Sequence, residues 1–147
     1  MTPRPPRRLP PRNRTFVLDC EALSKATLGD QTLGLFVKAA SRAGIRVVTS
    51  ALTLLEAWDP RAGARTKAWD WTLSRIEIVY VDEAITSKAQ ELLTEAKLHG
   101  HKYAIDSVLA AVALQCAQRG DQVAVLTSDV DDMRRFLDGT PVAIEAV

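Results

Sequence analysis

"VAVLTSDVDDMRR", residues 123–135, decides how this chain is read. A β-rich apolar run meets three aspartates within four positions, and a helix-forming segment follows. Like charges this close repel, so a buried strand that ends on them needs a reason. Either the carboxylates cap the next helix, or they hold something positive.

Working outward, the same strand-then-helix unit recurs along the chain. "TFVLD" (15–19), "IRVVTS" (45–50), "IEIVYV" (76–81) and "VAIEAV" (142–147) are further β-rich runs. Between them lie helical patterns. "EALSKATLGD" ends at Gly29, and Leu33, Phe36, Val37 and Ala40 share a face of the segment that stops at Gly44. Ser50 caps "ALTLLEAW", and "ARTKAWDWTLSR" (64–75) is a helix. Asp82 caps the long helix "EAITSKAQELLTEAKLHG" (83–100). The helix predicted over 103–119 is apolar on nearly every face and should be buried. Alternation from end to end predicts an α/β sandwich around a mostly parallel sheet.

The chain has 147 residues, enough for one ordinary domain. Its apolar runs fall short of the roughly 18 residues that span a bilayer, so no membrane partner is expected. Only "FVL" follows the basic start, which is too short for a signal-peptide core. The two cysteines, Cys20 and Cys116, form no CxxC or Cys/His spacing, which points to reduced thiols in a cytoplasm. The net charge of +1 hides an asymmetry: five of the 19 Lys and Arg residues, and five of the seven prolines, fall in residues 1–14. The rest carries 14 basic against 18 acidic residues. Residues 1–14 therefore read as a disordered Arg/Pro-rich tail before a domain at 15–147, able to touch RNA phosphates or to act as a plain leader.

Three acids sit at or just beyond strand ends: Asp19 after the first strand, Asp129 after the fourth, and Asp132 one turn into the next helix. Function in open α/β sheets gathers at the carboxyl edge where strand order reverses. For a sheet in the order 3-2-1-4-5, that point lies between the strands ending in Asp19 and Asp129. Glu56 and Asp106 interrupt otherwise apolar helices, and no Lys or Arg lies between Ala104 and Gln115 to pair with Asp106. Each acid alone has a plainer reading: a helix cap for Asp19 or Asp129, a cap or the partner of a distant Arg for Asp106, a solvated surface residue for Glu56. Together they point to a shared site for a hard divalent cation such as Mg²⁺ or Mn²⁺.

Asp19 in "FVLDCEAL", Glu56 in "VTSALTLLEAW", Asp106 in "YAIDSVLAAVAL" and Asp129 in "VLTSDVDDM" resemble the acid set of the PIN-domain nucleases, and most nearly their VapC toxin branch. The resemblance spans residues 15–147. It implies a three-layer PIN-like fold, with a five-stranded sheet and helices on both faces. It also implies a Mg²⁺- or Mn²⁺-dependent endoribonuclease, often a homodimer, acting as the toxin of a toxin–antitoxin pair. Carried over, Asp19, Glu56, Asp106 and Asp129 are the catalytic acids, and Asp19, Asp106, Asp129 and Asp132 the metal ligands. Thr127 or Ser128 matches the family's loop hydroxyl. Candidate phosphate contacts are Lys25, Lys102, Arg134 and Arg135.

Other acid-site families fit less well. Glu21 stands where a haloacid-dehalogenase-like phosphatase wants a second Asp, no Lys follows the last strand as in a response-regulator receiver, and there is no Gly-rich phosphate loop. His99 and His101, an HxH without nearby Cys, read as solvent-facing. Trp69 and Trp71 point about 200° apart on a helix, so one of them is expected at a partner surface. The alternative from another class is a PIN-like binding or assembly module without catalysis.

Overall fold

A computed structural model describes residues 2–3, 13–60 and 67–147. Five strands, β1 (Arg14–Leu18), β2 (Arg46–Ser50), β3 (Glu77–Val79), β4 (Gln122–Thr127) and β5 (Ala143–Ala146), form one sheet in the order β3-β2-β1-β4-β5. Every pairing is parallel, as βαβ crossovers require. The helices are α1 (Cys20–Thr27), α2 (Gln31–Ala43), α3 (Ala51–Glu56), α4 (Lys67–Arg75), α5 (Glu83–Ala96), α6 (Gly100–Gln118) and α7 (Val130–Leu137).

The sheet is buried on both faces, so the middles of its central strands are continuous apolar runs rather than alternating with exposed polar residues, and the threonines among them are buried too. Val17, Val48, Val123 and Val125 face α5, α6 and α7. Phe16, Leu18, Val47, Ala124 and Leu126 face α1 and α2. The successive side chains of β1 and β4 thus feed two separate cores, giving three layers. The helix at 103–119 starts three residues earlier than its apolar pattern, at Gly100, and buries Ser107 to Leu114 without a break. It packs against α3, α5 and α7 and over β1, β2 and β4. Among the described residues no helix is long and apolar enough to cross a membrane.

Local chemistry sets the element ends. Asp19, Asp30, Ser50, Asp82 and Asp129 each cap a helix, accepting a backbone N–H from the first turn. Gly44, at φ +69°, closes α2 in the left-handed region. The helix expected over 83–100 instead stops at Ala96, because Lys97 takes the left-handed turn at φ 56°. β3 is shorter than the run 76–81. It pairs only with β2, and the register Ser50↔Val79 leaves nothing beyond Val79 to bond. Tyr80 is therefore 73% exposed. The run 15–19 gains Arg14, which pairs with Gln122, while Asp19 leaves the strand to cap α1.

Of the helix expected over 64–75, residues 64–66 lie outside the described residues, as does most of the Arg/Pro-rich segment. Both tryptophans of α4 are half-buried within this chain. Trp71 packs on the α1/α2 core under the Arg75 guanidinium, and Trp69 meets Trp58 edge to face at 5.3 Å. Two separate packing surfaces of one chain thus accept rings that point opposite ways.

Candidate active site

The parallel sheet brings the carboxyl ends of β1 and β4 side by side, and both lead into helices through aspartates. Asp19 is 8% exposed. Its Oδ1 accepts from the Ala22 N–H at 2.8 Å, and its Oδ2 accepts from the Ser128 N–H at 3.0 Å. The second bond ties the β1–α1 turn to the β4–α7 turn. A third bond, from the Asp19 N–H to the Leu126 carbonyl at 3.1 Å, completes the junction. Asp19 is therefore a helix cap and a wall of the site at once. Each carboxylate oxygen keeps lone-pair capacity beyond the bond it accepts.

Asp129 is placed by the same logic. Its N–H donates to Thr127 Oγ1 at 2.9 Å, and its Oδ1 accepts from the Asp132 N–H at 3.2 Å. Of the two hydroxyl candidates, Thr127 is buried and holds this turn, while Ser128 lines the cavity. Glu56 closes α3. Asp106 comes from the second turn of α6 and has no hydrogen bond or ion pair among the described residues.

Asp19, Glu56, Asp106 and Asp129, from four different places in the chain, line one open cavity of about 250 Å³. Its remaining walls include Cys20, Glu21, Thr53, Ile105 and Leu109, and among the described residues no Lys or Arg. Crowding shows in the titration of the acids. Burial, then the charges of Glu56, Asp132, Asp129 and Asp19, push the Asp106 carboxyl up to about 6. Burial and then Asp19 raise Glu56. Asp132 does not line the cavity, but burial, its hydrogen bond with Asp129 and the Asp129 charge raise it, against Arg135 and Lys102. Burial, followed by Glu56, lifts the Cys20 thiol to about 11, so it stays protonated and is no nucleophile.

Among the described residues, no three His, Cys, Asp or Glu side chains converge tightly enough to grip an ion unaided. The acids ring a space rather than closing on a point. An all-oxygen ring of this size suits a hard cation that keeps several waters and touches few carboxylates directly. In that sense the residues fit Mg²⁺ or Mn²⁺.

Two positions in the lining carried no readable sequence signal. Thr53 is buried one turn before Glu56, and its hydroxyl shares a hydrogen bond with Ser50 at 3.1 Å, so in sequence it looks like core. Ile105 looks like one more apolar residue of α6. Of the four cations expected near phosphate, Arg134 faces Asp131 at 4.0 Å. Lys102 and Arg135 lie within electrostatic reach of Asp132.

No protein-family model matches the chain, and no curated protein is found similar to it. Solved structures are. A chain of VapBC2 from Rickettsia felis, bound to a DNA fragment from its promoter, superposes with a TM-score of 0.64 at 16% identity, covering 90% of this chain and 98% of that one. A chain of DNA-bound VapBC from Salmonella typhimurium superposes with a TM-score of 0.58 at 18% identity, with the same coverage of 90% and 98%. The fold is thus PIN-like, shared over nearly the whole length of both.

Proposed function

We propose that this PIN-like chain is a Mg²⁺- or Mn²⁺-dependent endoribonuclease, the toxin of a toxin–antitoxin pair acting in the cytoplasm. The observation that carries the reading is the cavity walled by five carboxylates, of which Asp19, Glu56, Asp106 and Asp129 come from four separate elements, with no Lys or Arg in its lining among the described residues. Asp19, Asp106 and Asp129 would hold the ion, with Asp132 beside them. When bound, such an ion lowers the pKa of a water and offsets charge on the phosphate.

The chain's own groups do the rest. The backbone bonds to Asp19 and Asp129 lock the two loops, so those carboxylates do not swing. Asp106, at about 6, is mostly ionised at neutral pH. In hydrolysis water adds to phosphorus, the P–O bond to the leaving nucleoside breaks, and the water gives up a proton. Glu56, at the mouth of the cavity with a raised pKa, is the acceptor for that proton. An anionic pocket repels an anionic backbone unless a cation is present, which supports a metal-dependent activity.

The superposed structures are VapBC complexes, which supports an antitoxin partner here; the homodimer is proposed on the sequence resemblance alone. The test uses purified protein with single-stranded RNA. Cleavage should require Mg²⁺ or Mn²⁺, stop with EDTA, and fall in Asp106→Asn and Glu56→Gln. Expression in a bacterial host should arrest growth for wild type and not for these variants. Cleavage indifferent to EDTA and to both substitutions would overturn the reading.

A further inference from the structure

Beside the acid cavity lies a ledge of opposite character. α6 begins with His99 as its N-cap, which makes no side-chain capping bond, and runs on through His101, Lys102 and Tyr103. His99, His101 and Lys102 are exposed. The His99 ring lies 6.4 Å from His101 and 6.1 Å from Tyr103. Lys102 sits with its ammonium 5.2 Å from the Tyr103 ring centroid and forms no ion pair among the described residues. From α7, Arg135 donates to the Tyr103 hydroxyl at 3.2 Å and faces Asp132 at 3.9 Å. Tyr103, 8% exposed, is the post to which both cations are tied.

Position links this ledge to the cavity. Lys102 precedes Asp106 by four residues on α6, which puts it on the same face, about 6 Å away along the axis. Asp132 joins the two regions: its N–H donates to Asp129 Oδ1 at 3.2 Å, and its carboxylate is 3.9 Å from the Arg135 guanidinium. Arg135 is half exposed and, among the described residues, commits two contacts, both through one terminal nitrogen, leaving most of its five N–H donors for another group.

We infer that Lys102 and Arg135, held around Tyr103, bind the phosphate next to the one being cleaved, and that the His99 and His101 rings carry the adjoining base. The inference rests on the ribonuclease reading and adds a second subsite to it. A single-stranded RNA suits the ledge because its bases are free to stack on aromatic rings and its phosphates are accessible to cations. The ledge also answers an electrostatic difficulty. Cations one turn from the acids draw the strand in without occupying the cavity or neutralising its carboxylates.

The test separates binding from chemistry. A short fluorescent single-stranded RNA is titrated in EDTA against Asp106→Asn protein, and against the same protein carrying Lys102→Gln, Arg135→Gln or His99→Asn with His101→Ala. Lys38→Gln, on α2 across the sheet, is the control for lost charge. Each of the two cation variants should weaken binding and lower the salt slope by about 0.7. The histidine variant should weaken binding with the slope unchanged. Lys38→Gln should change neither. In the cleaving protein, Lys102→Gln should raise KM with little change in kcat. Unchanged slopes in both cation variants, with metal-dependent cleavage intact in wild type, would overturn the subsite and leave the nuclease reading standing. Lowered slopes with no cleavage by wild type would do the reverse. No RNA binding at all would overturn the subsite too.

Discussion

Replacing Asp106 by Asn should stabilise the metal-free protein at neutral pH. The Asp106 carboxyl stands at about 6 in the folded chain against an ordinary value of 3.8. Because the folded value is raised, the native state binds more protons than the unfolded chain between about pH 4 and pH 6. Stability therefore falls as pH rises through that window and levels off above it. At about 1.36 kcal/mol per pH unit the full penalty is about 3 kcal/mol. The group is only about half buried, so solvent screening reduces this to about 1–2 kcal/mol. Asn keeps the shape and drops the charge, and no hydrogen bond or ion pair among the described residues is broken. The variant should then melt roughly 3–6 °C higher than wild type at pH 7.5 in EDTA, and at nearly the same temperature at pH 4. Added Mg²⁺ should reverse the order, since wild type gains binding energy that the variant lacks. Thermal unfolding followed by circular dichroism measures all four conditions. An Asp106→Asn protein that melts lower than wild type at both pH values would refute the claim that crowded charge strains this site.

Glu56→Gln and Asp129→Asn should each lower ribonuclease turnover by about 10²-fold or more while the protein stays folded; retention of full activity by either would remove that residue from the chemistry. Asp19→Asn should be costlier, by about 1–2 kcal/mol in urea unfolding, because its amide nitrogen would meet one of the two backbone N–H groups that the carboxylate accepts. Arg46→Met should destabilise by about 2 kcal/mol, leaving the nearly buried Asp121 carboxylate without the guanidinium that also bridges to Glu77; an unchanged urea midpoint would count against that network. Cys20 should react with a thiol reagent at pH 8 far more slowly than free cysteine, given its pKa of about 11. Labelling at the free rate would show that burial does not hold this thiol protonated.

Much of this protein is written in local pattern. Strand–helix alternation was enough to call for a parallel sheet, because a short parallel crossover leaves few other arrangements. The acids at strand ends were legible for the same reason: a carboxyl edge is a property of chain order. Ends of elements were less so. β3 stops at Val79 because β2 gives it no further partner, and α5 stops at Lys97 in a left-handed turn that a glycine three residues later had suggested. Those are decisions of pairing and packing, which no single segment contains. The same holds for the site. The sequence singled out five acids, yet only tertiary structure shows that four wall one cavity, that Asp132 stands at its flank, and that Asp19 works as a cap and a wall together. The sequence offered Lys102 and Arg135 as two of four candidate phosphate contacts, but not their grouping with the two histidines. α6 and α7 meet only in the folded chain, and there Tyr103 turns scattered surface charges into neighbours. Charge interactions depend on distance through space, and sequence records only distance along the chain.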